Sequence, residues 1–265
     1  MNMQRTIRLR LNPTSEQADV LLETLRQHAE CFNAVAAYGW AQREKNGARL
    51  HHATYRILRE RFPHLPAQLV IAARVKATEA LKSVIARKKK GRQASCPRTA
   101  LGAIRYDART YALKPGQGLV GLSTVAGRIK VPLAVDSHAQ GVLDQAVGFD
   151  SADLICRKGR FWLHVVVTLP DVEFRPSGSV VGVDMGLSRP AVCSNNRFFG
   201  ERRWKGIEHR YFRLRRSLQR KGTRSAKRHL RKLAGKVNRF RRDCDHVLSR
   251  RIVDSVQPGT VIVVE

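Results

Sequence analysis

Hydrophobic and polar residues alternate over Arg5–Leu11, with Ile7, Leu9 and Leu11 on one side and Thr6, Arg8 and Arg10 on the other. That is the pattern of a half-buried strand. Asn12-Pro13 stops it, and Thr14-Ser15-Glu16-Gln17 has the spacing of a capping box, so a helix begins there. Its apolar positions Val20, Leu21, Leu25, Cys31, Phe32, Val35 and Tyr38 fall at helical intervals until Asn46-Gly47 ends it. Two more helices are predicted over His52–Phe62 and Ala67–Arg87, divided by Pro63 and Pro66 and closed by the run Lys88-Lys89-Lys90-Gly91.

From Arg92 to Pro170 helical spacing vanishes, and Pro97, Pro115, Gly116, Gly118, Gly121, Gly127 and Pro132 punctuate the chain. Short β-rich runs at Ile104–Tyr106, Leu119–Leu122, Arg128–Leu133 and Phe161–Leu169 predict a small barrel or sandwich. The first strand belongs with them, separated by a helical insertion. Phe174–Gly178 reads as a linker.

Beyond it the texture changes again. Ser179–Gly186 and Thr260–Glu265 are β-branched and continuously apolar, as strands buried on both faces require. Ala191–Ser194 and Arg197–Phe199, around a turn at Asn195-Asn196, predict a meander. Two helices follow, from about Ile207 to Lys221 and from Thr223 or Ser225 to Val256, before Pro258-Gly259. In the second, Leu230, Leu233, Val237, Phe240, Cys244, Val247 and Arg251 or Ile252 recur three and four apart, a narrow packing seam. Strand, meander, helices and a final strand follow the chain order of the ribonuclease-H-like fold, in which the last strand lies parallel to the first and beside it.

Charge narrows the partners. The 265 residues carry 50 Lys and Arg against 21 Asp and Glu, a formal +29, while 43% apolar residues suffice for a core. So large an excess opposes compaction unless a polyanion neutralises it, and nucleic acid is the polyanion expected. No run approaches the roughly 18 apolar residues of a membrane span, and Met1–Leu11 has no signal-peptide core. A cytoplasmic, nucleoid-associated protein without a membrane partner is expected. The five cysteines are scattered without a Cys-x-x-Cys pair, so neither a disulfide framework nor a zinc knuckle follows from local spacing.

Twenty of the 50 positions from Arg202 to Arg251 are Lys or Arg, with few acids among them (Glu208, Asp243, Asp245). A helix face that is merely solvated mixes signs; this one is read as a surface for nucleic-acid backbone. In the middle segment Arg92, Arg98, Arg105, Arg109, Lys114, Arg128, Lys130, Arg157, Lys158 and Arg160 mix with Tyr106, Tyr111, Phe161 and Trp162. That mixture suits either phosphate contact with base stacking or a solvated basic sheet over core aromatics. Asp184 and Glu265 end the two apolar runs. Side by side, such strands bring their carboxylates to one rim of a sheet, where they share divalent cations that neither holds alone. The plainer reading is a pair of core strands that end on polar residues.

Leu11-Asn12-Pro13-Thr14-Ser15-Glu16-Gln17, Gly182-Val183-Asp184-Met185-Gly186-Leu187, the basic pair Arg210–Arg251 and Val261-Ile262-Val263-Val264-Glu265 together resemble TnpB, the transposase OrfB family of insertion sequences, related to the type V CRISPR effectors. The resemblance spans the chain, although the middle segment offers no matching motif. It implies an α+β multidomain protein. A wedge-like β-barrel over 1–11 and 92–172 would carry a helical recognition module over 12–91. A partial ribonuclease-H-like RuvC nuclease domain would cover 179–265, with its basic hairpin at 207–256.

The implied activity is that of a transposon-encoded RNA-guided DNA endonuclease acting in transposition and DNA recombination, with a guide RNA and target DNA as partners and Mg²⁺ or Mn²⁺ as cofactor. Asp184 and Glu265 match the first two catalytic, metal-binding acids. The basic residues expected on nucleic acid are Arg105, Arg109, Lys130, Arg202, Arg203, Lys205, Arg213, Arg216, Arg220, Lys221, Arg224, Lys227, Arg228, Arg231, Lys232, Arg241 and Arg242. The family continues past its Glu with a zinc ribbon and a third catalytic Asp, for which this sequence offers no residues. A truncated, cleavage-deficient RNA-guided DNA-binding remnant is therefore the alternative, without zinc and self-associating through an exposed final strand. An actin-like or sugar-kinase ATPase, whose fold also opens on a strand and Asp-x-Gly, is a third reading. It lacks a glycine-rich phosphate loop.

Overall fold

The alternation near the N-terminus becomes strand β1 (Met3–Leu11), which buries Ile7, Leu9 and Leu11 and turns Thr6, Arg8 and Arg10 outward. The computed structural model describes residues 3–171, 178–186 and 189–265. The expected linker over Phe174–Gly178 lies outside them except for Gly178, as does Leu187. The chain divides into two units, Met1–Asp171 and Val172–Glu265.

In the first unit, helix α1 (Ser15–Ala41) starts on the predicted capping box: Gln17 N–H donates to Thr14 Oγ1 at 3.3 Å and Thr14 N–H to Gln17 Oε1 at 3.2 Å. The same Gln17 side chain donates from Nε2 to the Lys130 carbonyl at 2.9 Å, tying the helix start to the sheet. Helix α2 spans Gly47–Arg61 and α3 spans Ala67–Lys89. Asn46-Gly47 therefore opens a helix and does not close one, since α1 has already ended at Ala41. The Asn46 side chain accepts from Ala48 and Arg49 N–H, and Leu50, Thr54 and Leu58 then bury one face. A short polar residue serves a stop or an N-cap equally well, and packing makes the choice.

The sheet follows: β2 (Ile104–Tyr106), β3 (Tyr111–Lys114), β4 (Leu119–Thr124), β5 (Gly127–Ala134), β6 (Gly148–Arg157) and β7 (Arg160–Leu169) join β1 in the order β2-β6-β7-β1-β5-β4-β3. β1 runs antiparallel to β7 from Met3 opposite Leu169 to Arg10 opposite Trp162, and meets β5 at Arg10–Ala134. So β1 sits mid-sheet although the three helices intervene in sequence. Two phenols tie the sheet's ends together. Tyr106 on β2 donates to the Ser123 carbonyl of β4 at 3.1 Å, and Tyr111 on β3 donates to the Asp150 carbonyl of β6 at 2.6 Å. The sheet is nearly closed. Tyr106 and Tyr111 are buried, and burial raises both phenol pKa values, with Asp150 adding to the rise at Tyr111 to about 12.

Helix α4 (Ser137–Asp144), capped by Asp136, lies in the stretch where no helical spacing was legible; three buried residues in eight give too short a pattern. Of the two readings of the aromatics, burial favours the core one. Tyr106, Tyr111 and Phe161 are at most 4% exposed, so their rings belong to the core, and Trp162 is half-buried.

In the second unit β8 (Val180–Asp184), β9 (Ala191–Cys193), β10 (Phe198–Phe199) and β11 (Val261–Val264) form a sheet in the order β10-β9-β8-β11, and α5 (Arg202–Lys221) and α6 (Arg224–Asp254) come between β10 and β11 in sequence. Val183, Ala191 and Cys193 pack against Leu248 and Ile252 of α6. The apolar strands are not buried on both faces as expected: Val180 is 62% and Val264 63% exposed. Among the described residues only one face of this sheet has a helix against it.

Candidate metal and nucleic-acid site

β11 runs parallel to β8 with Val261 opposite Val180 and Val264 opposite Val183. The ladder continues one step further, because Glu265 N–H donates to the Val183 carbonyl at 3.1 Å. Glu265 is thereby set opposite Asp184, one inter-strand spacing of about 4.8 Å away. Since Val183 faces the core, alternation turns Asp184 to the other, exposed face. Both carboxylates are exposed, and among the described residues neither has an ion-pair partner. Also among the described residues, no group of three or more His, Cys, Asp or Glu is placed to hold a metal ion.

Two carboxylates at one strand spacing supply the hard oxygen donors that Mg²⁺ and Mn²⁺ take, and leave other coordination positions to water and phosphate oxygens. That donor set fits a divalent cation. The nearby thiols do not compete for it: burial raises the Cys193 pKa, and burial followed by Asp243, Asp245, Glu208 and Glu201 raises that of Cys244.

Beside the end of β8 lies a cleft of about 480 Å³ lined by Met185, Gly186, Trp204, Lys205, Phe240 and Arg241, among others. Trp204 was not singled out in the sequence. Its only signal is a place on the helical stripe of α5.

The hairpin forms because Gly222 takes a left-handed conformation (φ 62°) and Thr223 caps α6 by accepting from Ala226 N–H at 3.1 Å. Leu218, Ala226 and Leu233 bury between the helices, and Tyr211 meets Phe240 edge-on with ring centroids 6.0 Å apart. Further along α6 the seam passes through Leu248 and Ile252, so Val247 of the predicted stripe is only half-buried. A helix of 3.6 residues per turn drifts away from a strict seven-residue repeat.

Arg202, Arg203, Lys205, Arg213, Arg216, Arg220, Lys221, Arg224, Lys227, Arg228, Arg231, Lys232, Arg241 and Arg242 are all exposed on this hairpin. Arg203 pairs with Glu201, and Arg241 with Glu208 at 2.8 Å, so those two are partly neutralised. Arg105, Arg109 and Lys130 are exposed in the other unit, where Arg105 reaches Asp153 at 3.6 Å and Glu79 at 3.7 Å. No helix among the described residues is long and apolar enough to cross a membrane.

Residues 164–264 match the family OrfB_IS605, described as a probable transposase. No curated protein matches the chain. Among solved structures, the chain is similar in fold to a Cas12f1 studied by cryo-electron microscopy in complex with sgRNA and target DNA. The TM-score is 0.63 at 13% identity, over 100% of this chain and 81% of that one. The resemblance read from the sequence is borne out, in that residues 164–264 match the OrfB transposase family and the fold is similar to that of Cas12f1.

Proposed function

We propose that this TnpB-like protein is an RNA-guided DNA endonuclease in which Asp184 and Glu265 are the metal-binding acids of a RuvC-like site. The observation that carries the reading is the parallel pairing of β8 with β11, which aligns the two carboxylates at one rim of a sheet. The sheet order, with α5 and α6 in the crossover, supports a ribonuclease-H-like half-domain over 179–265. The nearly closed sheet supports a wedge-like barrel from 1–11 and 92–172, and α1 to α3 a recognition module within 12–91.

Asp184 and Glu265 would hold Mg²⁺ or Mn²⁺. Such an ion supplies Lewis acidity and lowers the pKa of a bound water. The chain's own contribution is to hold the phosphodiester: the exposed cations of α5 and α6 draw the nucleic-acid backbone to the unit that carries the carboxylates. A guide RNA and target DNA are the partners proposed, as in the complex of the structural relative.

A second reading, binding without cleavage, is favoured by one observation: among the described residues no third acid joins the pair. One experiment separates the two. The protein is purified with its co-purifying RNA and incubated with matched DNA and Mg²⁺, alongside Asp184→Ala. Cleavage lost in the variant supports the nuclease. Retained binding with no cleavage by either protein supports the second reading, and absence of co-purifying RNA together with absence of DNA binding sinks both.

A further inference from the structure

Between Glu79 and Asp107 the chain has no acid and eight Lys or Arg residues. Several cations elsewhere in this unit are ion-paired: Arg26 with Glu23, Arg49 with Glu44, Arg56 with Glu60, Arg61 with Glu30 and Lys76 with Asp153. Arg87, Lys88, Arg92 and Arg98 have no acidic partner among the described residues. These four line an open groove of about 1060 Å³. One wall is the last turn of α3, with Arg87 and Lys88, and the other is the extended segment 92–98.

The second wall is held in place. Asn33 of α1 donates from Nδ2 to the Thr99 carbonyl at 2.8 Å and accepts from Thr99 N–H at 2.9 Å, while Cys96 Sγ donates to the Ala36 carbonyl at 3.6 Å. On the first wall, the Lys88 ammonium lies over the Trp40 ring, 5.7 Å from its centroid. Favourable interaction with the α3 dipole accounts for Arg87, Lys88 and Lys89 in its final turn. It does not account for Arg92 and Arg98, which lie beyond the helix on the opposite side of the groove.

We infer that this groove is a binding site for the sugar-phosphate backbone of a nucleic-acid strand. Cations kept on two facing walls without an acid repel each other, and a strand of regularly spaced phosphates neutralises both walls at once. Gln93 and Ser95, also in the lining, offer the uncharged donors that accompany phosphate and sugar contacts. The inference rests on the nucleic-acid reading proposed above and extends it to a surface of the other unit.

The test measures binding of the full chain to a structured RNA and, separately, to a DNA duplex across a series of salt concentrations. Arg92→Gln/Arg98→Gln removes the off-helix wall, Arg87→Gln/Lys88→Gln the helix wall, and Lys227→Gln/Arg231→Gln on the hairpin is the reference. Each phosphate contact contributes about 0.7 to 0.9 to the salt slope, so each groove variant, which removes two cations, is expected to lower the slope by up to about 1.8. Arg92→Lys/Arg98→Lys is expected to keep most of it. Among the described residues none of the four side chains makes a hydrogen bond that holds the fold, so melting temperatures should stay within a few degrees of the parent. Loss on RNA alone assigns the groove to RNA, and loss on DNA alone assigns it to DNA. Unchanged slopes on both nucleic acids in both groove variants, with the hairpin variant reduced, overturn this inference alone. A parent protein whose binding does not depend on salt overturns the nucleic-acid reading with it.

Discussion

Asp184 and Glu265 each follow the last matched pair of two parallel strands, Val183 and Val264, and the Glu265 amide hydrogen-bonds to the Val183 carbonyl at 3.1 Å. Eighty residues of chain separate them, yet a single ladder sets their spacing. A parallel pair needs a long crossover, and α5 with α6 supplies it. Neither acid can be displaced along its strand without breaking the register of the other.

That coupling predicts shared metal binding. Asp184→Asn and Glu265→Gln should each weaken Mn²⁺ binding at least tenfold, a loss of about 1.4 kcal/mol, and the double variant should lose little more than the worse single. Titration followed by electron paramagnetic resonance reads this directly. Two independent, additive losses would mean that the carboxylates hold separate ions.

His28 governs a pH response. It is 1% exposed in α1, and among the described residues neither ring nitrogen has a hydrogen-bond partner. Burial, with Lys76 adding to it, lowers its pKa from 6.5 to about 3. The unfolded chain therefore binds a proton below pH 6.5 that the folded chain refuses until pH 3. Stability from this group falls as pH falls through that window, by about 2 kcal/mol between pH 7 and 5. His28→Leu should flatten the acid limb of the stability curve and raise stability at pH 7 by about 1 kcal/mol, since two unsatisfied polar atoms leave the core. Urea denaturation at pH 5 and pH 7 measures both effects. An unchanged acid limb would show that His28 finds a partner in solution.

Gly39 marks the tightest helix contact. A Cβ there would lie 2.4 Å from Leu81 Cδ1 on α3 and 2.9 Å from the Glu44 carbonyl, and backbone cannot step aside as a side chain does. Gly39→Ala should cost about 1 to 3 kcal/mol despite its better helix propensity. At about 2 to 4 °C per kcal/mol for a unit of this size, the melting temperature should fall by several degrees. A rise would mean that α1 and α3 relax apart freely.

The outer edge of β11 carries Val263, 53% exposed, and Val264, 63% exposed, with no neighbouring strand among the described residues. Unpaired backbone beside apolar side chains is a template for strand addition, so the RNA-free protein should self-associate as its concentration rises. Val263→Lys should suppress this. Sedimentation velocity over a concentration series provides the check, and a parent protein that stays monomeric throughout would count against an open edge.

The alternation of Ile7, Leu9 and Leu11, the capping box at Thr14 and Gln17, and the apolar runs ending at Asp184 and Glu265 were legible in the sequence because each is a local pattern with a local cause. The basic hairpin was legible for the same reason, since charge density needs no fold to be counted. What depended on distant partners was not. Asn46 opens α2 because Leu50 and Leu58 find a core, and α4 forms on too few residues to show a period. Tyr106 and Tyr111 carry the same residue type whether they stack on bases or tie a sheet's ends together, and only the strand order puts Ser123 and Asp150 within reach of their hydroxyls. The chain order already suggested that the strands ending at Asp184 and Glu265 lie side by side, but only the ladder of backbone bonds fixed the register that sets the two residues opposite each other. The wall of the groove formed by segment 92–98 is held by α1, far away in the chain, through Asn33 to Thr99 and Cys96 to the Ala36 carbonyl. Local pattern sets what a segment can become, and long-range packing and hydrogen bonding select which residues meet.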